Sequence, residues 1–597
     1  MYIDTSTLIM RFRSLVDLVP FLPLILAQTG GPSPNGHGGG NSNSRCRCIY
    51  GSSCWPSEQE FTTLSSGLSQ PLIRPVPPAS ACYPPSNPSG NCSIATTLWR
   101  DSLWRADQPG AYENTNFETY MFKNGSVSGC YINTTLGLPC EQGSVPPIGV
   151  DARTTEDVQA AVKFAARHNL RLVVKNTGHD YLGRSAGRGA FMIWTHHLKN
   201  TTYDANFIPE GGSSSDATPA ITLGAGVQWG EAYNAAAASN RFLVGGLSTG
   251  MSVGASGGWI QGGGHSAFAP AYGLGVDNAI QFTLISATGS LLTASPHTNP
   301  DLFWALRGGG AGSWGVILSV TYKAHELLPL VMTGLNITIP DPETMALPIV
   351  TEFIKLHPTL SDKGWGGYSG FSNTSLMAFW VAPNVSWAEA NATIQPFFDL
   401  VRNVTQNPNV TTFSFPFNDF NGWLNATFGS ISLSGSQVGG NVELSSRLMA
   451  REAASGERAE DTARRLLEMG NVAINAICGG AVSRADPSST GLNPGWRDAV
   501  GLVYTTGFWQ EGASPEVIQA VRQQLVSDIH HLDPISPDSA TYMNEASLYE
   551  PDFKKAFFGS HYNQLRQIKQ KYDPKSLFIV AEGVGSEDWN GDLTCRH

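Results

Sequence analysis

Charge is scarce in this sequence. Asp, Glu, Lys and Arg together make 14% of 597 residues, and their balance is a net charge of −11 at pH 7. No run of Lys or Arg opposes that acidic sum, so the chain has no electrostatic means of gathering phosphates and nucleic acid is not an expected partner. No Cys-x2-Cys pair occurs and no His cluster accompanies the cysteines, which leaves a structural zinc site without its usual spacing, and no metal is expected. The apolar run near the N-terminus, Leu18–Ala27, is too short to cross a bilayer, so no membrane span is expected. No internal repeat is visible. What is present is an ordinary hydrophobic fraction, 41%, in a chain longer than a single core usually grows. Two or more domains sharing a cleft are therefore expected.

Arg11 and Arg13, then Leu18–Ala27, then polar Gln28-Thr29-Gly30 follow the order of a secretory signal peptide, assigned to residues 1–27. The rival reading is an apolar N-terminal element of a cytosolic domain. Two features favour export. Eleven Asn-x-Ser/Thr sequons, at Asn91, Asn124, Asn133, Asn200, Asn336, Asn373, Asn384, Asn391, Asn403, Asn409 and Asn425, are candidate glycosylation sites. Seven of nine cysteines (Cys46, Cys48, Cys54, Cys82, Cys92, Cys130, Cys140) lie in the first quarter, as disulfide staples of a loop-rich segment would. The odd total leaves at least one thiol unpaired or linked to another chain, with Cys478 and Cys595 open to either state.

After the Gly/Ser/Asn/Pro linker from Thr29 to Arg45, an irregular Cys-rich segment extends to residue 143, the whole N-terminal segment being assigned to 28–143. From Ser144 the character changes. Thr154 to Asp157 forms a capping box ahead of Val158, Ala161, Val162 and Ala165, so a helix runs to about Asn169 and a strand, Leu170–Val174, follows. That order delivers Asn176 to Asp180 to the end of a strand, where ligands are commonly met. Further strands are expected at Phe191–Trp194, Ala220–Leu223, Ile280–Ile285 and Val316–Tyr322, with helices at Gly230–Ser239 and Pro300–Arg307. The fold class is α+β, with a first domain at 144–325. A second domain, 326–540, is expected to alternate strands with two longer helices, Val385–Val401 and Arg447–Gly470. A C-terminal segment, 541–597, carries a last helix, Glu550–Tyr572, ended by Asp573-Pro574.

The densest glycine tract runs from Gly245 to His265-Ser266 and includes Gly250, Gly254, Gly257, Gly258 and Gly264. Missing side chains let backbone NH groups close on a large guest such as a diphosphate or a flavin ring. A flexible linker is the bland alternative, but Met251, Val253, Trp259 and Ile260 are buried-type residues that linkers rarely carry. Within the tract, Gly250-Met-Ser252-Val-Gly254 satisfies the pattern of a hydrolase nucleophile, making a serine hydrolase using Ser252 a rival function. Its mechanics need a strand before and a helix after, and the glycines from Gly257 to Gly264 oppose that helix. Gly310-Ala-Gly312-Ser-Trp-Gly315 matches a dinucleotide fingerprint, but the expected helix precedes and the strand follows, the reverse of a Rossmann unit. His179, taken alone, reads as a structural histidine.

Lys175-Asn-Thr-Gly-His-Asp180-Tyr-Leu-Gly-Arg-Ser185, Ile193–Lys199, Ser252–Ser266, Gly273–Asn278, Asp301–Gly310 and the tail motifs Tyr542-Met-Asn-Glu-Ala546, Tyr572-Asp-Pro574 and Gly583-Val-Gly585 occur in an order and spacing that carry a resemblance. Over most of the chain from residue 144, it resembles the fungal FAD-linked oxidoreductases with a PCMH-type flavin domain, the berberine bridge enzyme-like group. Cys46-Arg-Cys48 with Cys54-Trp-Pro56 resembles the stapled N-terminal segment of its fungal members. The resemblance implies a vanillyl-alcohol-oxidase-like FAD domain beside a substrate domain built on an antiparallel sheet flanked by helices. It implies a secreted enzyme in which FAD, bonded at its 8α-methyl carbon to His179, accepts a hydride and is reoxidised by dioxygen. Gly250 stands where bicovalent members carry a second, cysteine attachment, so a single tether is implied. Asn176, Thr177, Gly178, Asp180, Ser252, Gly254, Gly257, Gly258, Gly264 and Asn544 are the further cofactor-binding candidates, and His265 and Tyr542 the catalytic ones. The implied substrate is a small molecule of secondary metabolism, ahead of a carbohydrate, and a monomer is expected. A non-catalytic secreted flavoprotein on the same scaffold is a further alternative.

Overall fold

The computed structural model describes residues 45–84, 90–408, 410–428 and 438–597. The signal peptide, nearly all of the linker and the sequon at Asn409 lie outside them. Counting strands of four residues or more, fifteen strands form three sheets, giving the expected α+β class.

The first sheet is parallel and small: β1 (Ile148–Asp151), β2 (Leu172–Lys175) and β3 (Phe191–Trp194), in the order β1-β3-β2. Between β1 and β2 runs the helix Thr155–Arg167, and its start was legible: the Thr154 hydroxyl accepts from Asp157 N while the Asp157 carboxylate accepts from Thr154 N. Its apolar stripe, Phe164 included, packs on β1 and β3 with Phe61.

A second sheet, wholly antiparallel, takes β4 (Thr201–Phe207), β5 (Thr218–Gly224), β6 (Ala279–Ile285), β7 (Leu291–Ala294) and β8 (Val316–Lys323) in the order β7-β6-β8-β5-β4. The glycine tract is laid against it, with Ala255 N donating to Val227 O at 2.8 Å and Ser256 Oγ to Leu223 O at 3.1 Å.

The third sheet has seven antiparallel strands: β9 (Leu330–Thr338), β10 (Gly366–Phe371), β11 (Ser375–Pro383), β12 (Thr411–Phe417), β13 (Asn441–Ala450), β14 (Val472–Ala476) and β15 (Ala499–Trp509), in the order β12-β9-β11-β10-β14-β15-β13. One face is buried under the helices Pro342–Asp362, Trp387–Thr405 and Arg458–Glu468. The other face joins the cluster formed by the glycine tract, the second sheet and the C-terminal segment.

Three expectations about helices are corrected. Arg447–Ala450 is the end of β13, paired with β15, and the helix begins only at Arg458. The last helix starts at Tyr562, because Gly559, at φ +55°, breaks the chain direction after a short turn at Lys554–Phe558. Among its described residues the 326–540 region carries four long helices rather than two, since Pro342–Asp362 and Pro515–Leu532 were not anticipated.

Four disulfides form: Cys48–Cys54, Cys82–Cys92, Cys130–Cys140 and Cys46–Cys595. The last joins positions 549 residues apart, and Cys478 is the buried free thiol. Among the described residues no helix is long and apolar enough to cross a membrane. Of the ten described sequon asparagines, nine are exposed and Asn391 is half-buried, so sugar could be attached at most of them without disturbing the core.

Candidate functional site

β2 ends at Lys175, and the chain turns through Asn176, Thr177 and Gly178 to present His179 beneath the glycine tract. Gly178 sits at φ +99°, and a Cβ there would meet Tyr112 Cα at 3.1 Å, so the turn needs glycine for conformation and for space. The His179 ring is 19% exposed, and its Nε2 lies 2.7 Å from Ser252 Oγ and 3.7 Å from Glu113 Oε1. Burial, aided by the Lys175 ammonium, lowers its pKa to about 3, so the imidazole is neutral at ordinary pH. Burial also raises Glu113 to about 8 and lowers Lys175 to about 7.

The glycines of the tract divide into two kinds. A Cβ at Gly264 (φ +72°), or at Gly275 just beyond the tract, would strike the Trp259 indole at 2.8 and 2.5 Å, so their missing side chains house that tryptophan. Gly254 backs onto Asn176, whose Nδ2 would stand 2.1 Å from an added Cβ and donates to Ala225 O at 2.7 Å. Gly257 and Gly258 are different: an added Cβ finds nothing nearer than 3.5 Å and 3.9 Å. Around this open backbone lie buried polar atoms without partners: Asn176 Oδ1, Trp259 Nε1, Gln261 Oε1, Arg184 Nη1 and both carboxylate oxygens of Glu113. Each such atom costs about 1–3 kcal/mol when left unpaired, and so many in one neighbourhood mark a place for a polar ligand. A flat ring system with polar edges and a phosphate-bearing tail suits them, so the residues fit the expected flavin.

Ser252 does not sit as a hydrolase nucleophile. Both Ser252 Oγ and Glu113 approach the same nitrogen of His179, whereas a triad needs its orienting carboxylate on the other one. Ser252 is fully buried, follows a three-residue turn, Thr249–Met251, and leads through a single bridge residue, Gly254, and a turn into a helix of only four residues, Gly258–Gln261, which the glycines were expected to oppose. The fingerprint-like glycines follow the helix Pro300–Leu306 and precede β8, so no Rossmann turn is present there.

The C-terminal segment closes the site from the other side. Asn544 Nδ2 donates to Gly258 O at 3.0 Å and to Tyr542 Oη at 2.8 Å, while Asn544 Oδ1 accepts from Arg184 Nη2 at 2.7 Å. Arg184 is itself paired with Asp180 at 2.7 Å, both side chains being almost buried. Asp180 therefore reaches the site through Arg184 and Asn544. His265 Nε2 lies 2.9 Å from Glu545 Oε1, and its Nδ1 is buried without a partner. Tyr542 packs edge-on against the His265 ring at 5.1 Å, and burial keeps its phenol protonated far above neutral pH. Burial also raises Tyr181, Tyr368 and Tyr504, and the Glu545 carboxylate raises each of them further, so aromatic hydroxyls line the approach to that carboxylate.

Sequence reading brought out His179, Asn176, Ser252, His265, Tyr542 and Asn544, which the fold assembles. Glu113, Lys175 and Glu545 were missed as site residues. Lys175 and Glu545 stood inside motifs already singled out, but no signal pointed to Glu113. Asp107, His196 and His197 offer ligand atoms within 4.8 Å of one another. There His196 Nε2 lies 2.8 Å from Asp107 and His197 Nδ1 2.7 Å from Asp151, so both rings already have carboxylate partners.

Residues 146–295 match the model of an FAD binding domain and residues 541–585 that of the berberine and berberine-like family. An uncharacterized FAD-linked oxidoreductase of Arthroderma benhamiae is 36% identical over 90% of this chain and 94% of its own. The VAO-type flavoprotein oxidase VAO615 of Thermothelomyces thermophilus is 33% identical over 92% and 94%. The crystal structure of the VAO-type flavoprotein MtVAO615 from Myceliophthora thermophila superposes with a TM-score of 0.82 over 92% of this chain and all of that one, at 30% identity. The berberine bridge enzyme of Eschscholzia californica, at 18% identity and a TM-score of 0.58 over 74% and 90%, shares the fold. With the two fungal relatives matched over nine-tenths of its length at more than 30% identity, the chain belongs to the VAO-type, berberine bridge enzyme-like FAD-linked oxidoreductases, and FAD is its cofactor.

Proposed function

We propose that this oxidoreductase is a secreted, glycosylated enzyme that oxidises a small organic molecule beneath its seven-stranded sheet, with FAD attached through His179 alone and dioxygen as the final electron acceptor. The flavin supplies the hydride-accepting chemistry, and the protein supplies position and proton handling. The observation that carries the reading is the His265–Glu545 pair beside the glycine cradle. A hydrogen on His265 Nε2, donated to Glu545, leaves Nδ1 with its lone pair. Nδ1 then takes the proton of a substrate hydroxyl or amine as the adjacent C–H bond is oxidised. Tyr542 keeps its O–H, so it serves as a donor that orients the substrate.

Asn176, Thr177, Gly178, Ser252, Gly254, Gly257 and Gly258 hold the flavin, with Asn544 locking the tail against the cradle and Asp180 acting behind it. Gly264 shapes the pocket wall by admitting Trp259. We assign the flavin domain to 144–325, the substrate domain to 326–540 and the returning tail to 541–597, and take the protein to be a monomer. Secretion is supported by the four disulfides and by the exposure of the sequons. A small molecule of secondary metabolism ranks ahead of a carbohydrate.

The test is anaerobic reduction. A panel of small alcohols, amines and sugars is mixed with the yellow protein without oxygen, and then air is admitted. Bleaching by one class of compound and recovery in air support the reading. A flavin that none of them bleaches, or that stays bleached in air, contradicts it.

A further inference from the structure

Glu113 belongs to the Cys-rich N-terminal segment, outside the matched FAD-binding residues, yet its carboxylate is aimed at the histidine that carries the cofactor in the reading above. The segment is threaded directly under the His179 turn. Glu113 N donates to Gly178 O at 3.3 Å, and Glu113 O accepts from Gly439 N at 2.8 Å. On either side, Tyr112 Oη donates to Ser185 O at 3.1 Å, and Thr115 N donates to Gly440 O at 2.9 Å. Behind it the buried Arg105 guanidinium bonds Glu118 and donates to Tyr112 O at 2.7 and 2.9 Å. Backbone bonds and a buried ion pair thus fix the position of this acid.

The side chain itself has no anchor. It is 2% exposed, both its oxygens lack hydrogen-bond partners, and Oε1 stands 3.7 Å from His179 Nε2. A buried carboxyl without partners is costly, which argues for a task rather than for stability. Arg105 and Lys175 favour its charged form, whereas Asp101, Glu118 and burial oppose it. It is therefore poised to change protonation.

We propose that Glu113 accepts the Nε2 proton of His179 when that ring is joined to the flavin, acting as a positioning and proton-accepting residue for cofactor attachment. The inference rests on the His179 tether. With Nε2 facing Ser252 and Glu113, Nδ1 is the nitrogen whose lone pair forms the new C–N bond to the 8α carbon. The methyl group gives up one C–H proton, Nε2 gives up the ring proton, and the electron pair released enters the isoalloxazine, which leaves it reduced with two protons added. Dioxygen then takes two electrons and two protons as hydrogen peroxide, so the sum is methyl flavin plus histidine plus dioxygen giving linked flavin plus peroxide. Ser252 Oγ, 2.7 Å from Nε2, orients the ring so that this nitrogen also faces Glu113 Oε1 at 3.7 Å. The Cys-rich N-terminal segment is thereby a part of the machinery that installs the cofactor.

Full-length wild type, Glu113→Gln and Glu113→Asp are purified with their flavin and incubated aerobically with added FAD, and tethered flavin is separated from released flavin by acid precipitation over time. Wild type is expected to be tethered throughout. Glu113→Gln is expected to bind FAD but attach it about a hundredfold more slowly, with Glu113→Asp between them. Attachment by Glu113→Gln at the wild-type rate overturns the inference while leaving the tether intact, whereas free flavin from the wild type overturns both. If the Gln variant fails to fold, the rate at which wild type produced without its flavin attaches added FAD decides. It should climb as pH rises through Glu113's value of about 8, and a flat profile contradicts the proposal.

Discussion

His265 and Glu545 are 280 positions apart in the chain and 2.9 Å apart in the fold, one closing the glycine tract and the other in the returning tail. Their pairing leaves Nδ1 as the imidazole nitrogen without a partner. Glu545→Gln should lower kcat by about a hundredfold, and His265→Ala should lower it at least as much. Flavin content, read from the visible spectrum, should be unchanged in both. Unchanged kcat with full flavin would remove this pair from the chemistry.

Asp180, Arg184 and Asn544 form a chain of side chains that clasps the tail to the cradle. Asp180→Ala leaves the Arg184 guanidinium buried without its carboxylate, which should cost roughly 3–5 kcal/mol of unfolding free energy. Asn544→Ala, which removes the amide but strands no charge, should cost less and raise the substrate KM. Denaturant titration of both variants checks the order.

The Cys46–Cys595 bond ties the ends of the described chain, assisted by Arg596 N donating to Arg45 O at 3.0 Å. Replacing both cysteines by serine should lower unfolding free energy by about 2–5 kcal/mol through the very long loop that is released. The comparison is the denaturation midpoint against wild type under non-reducing conditions.

His325 and His357 are both lowered by burial to about 4. Because the unfolded chain binds protons on these rings from pH 6.5 downwards and the folded one does not, stability is lost as pH falls from about 6.5 towards 4. His357→Gln should reduce that acid loss by a few kcal/mol. Thermal unfolding midpoints measured across that range, for wild type and variant, provide the check.

Much of this was legible locally. The capping box at Thr154 and Asp157 announced its helix, and the apolar runs in β3, β5, β6 and β8 announced their strands, because each signal is carried by neighbours in sequence. Arg447–Ala450 misled because its helix-forming residues are overruled by pairing with β15, a contact some fifty positions away. The helix Pro342–Asp362 was hidden by Pro348 and Pro358 inside it, residues that usually end a helix. At the site, His179 gained meaning only from the motif around it. Glu113 had neither motif nor periodicity, since its placement beside His179 comes from backbone bonds to Gly178 and Gly439 that only the folded chain reveals.

The most direct test of the central claim is peptide mass spectrometry of the purified protein after proteolysis in acid. A single flavin mass on His179, in the peptide containing Asn176–Asp180, with none on any cysteine and none in His179→Ala, is the predicted result. An unmodified His179 peptide, with all the flavin recovered free, would contradict the account.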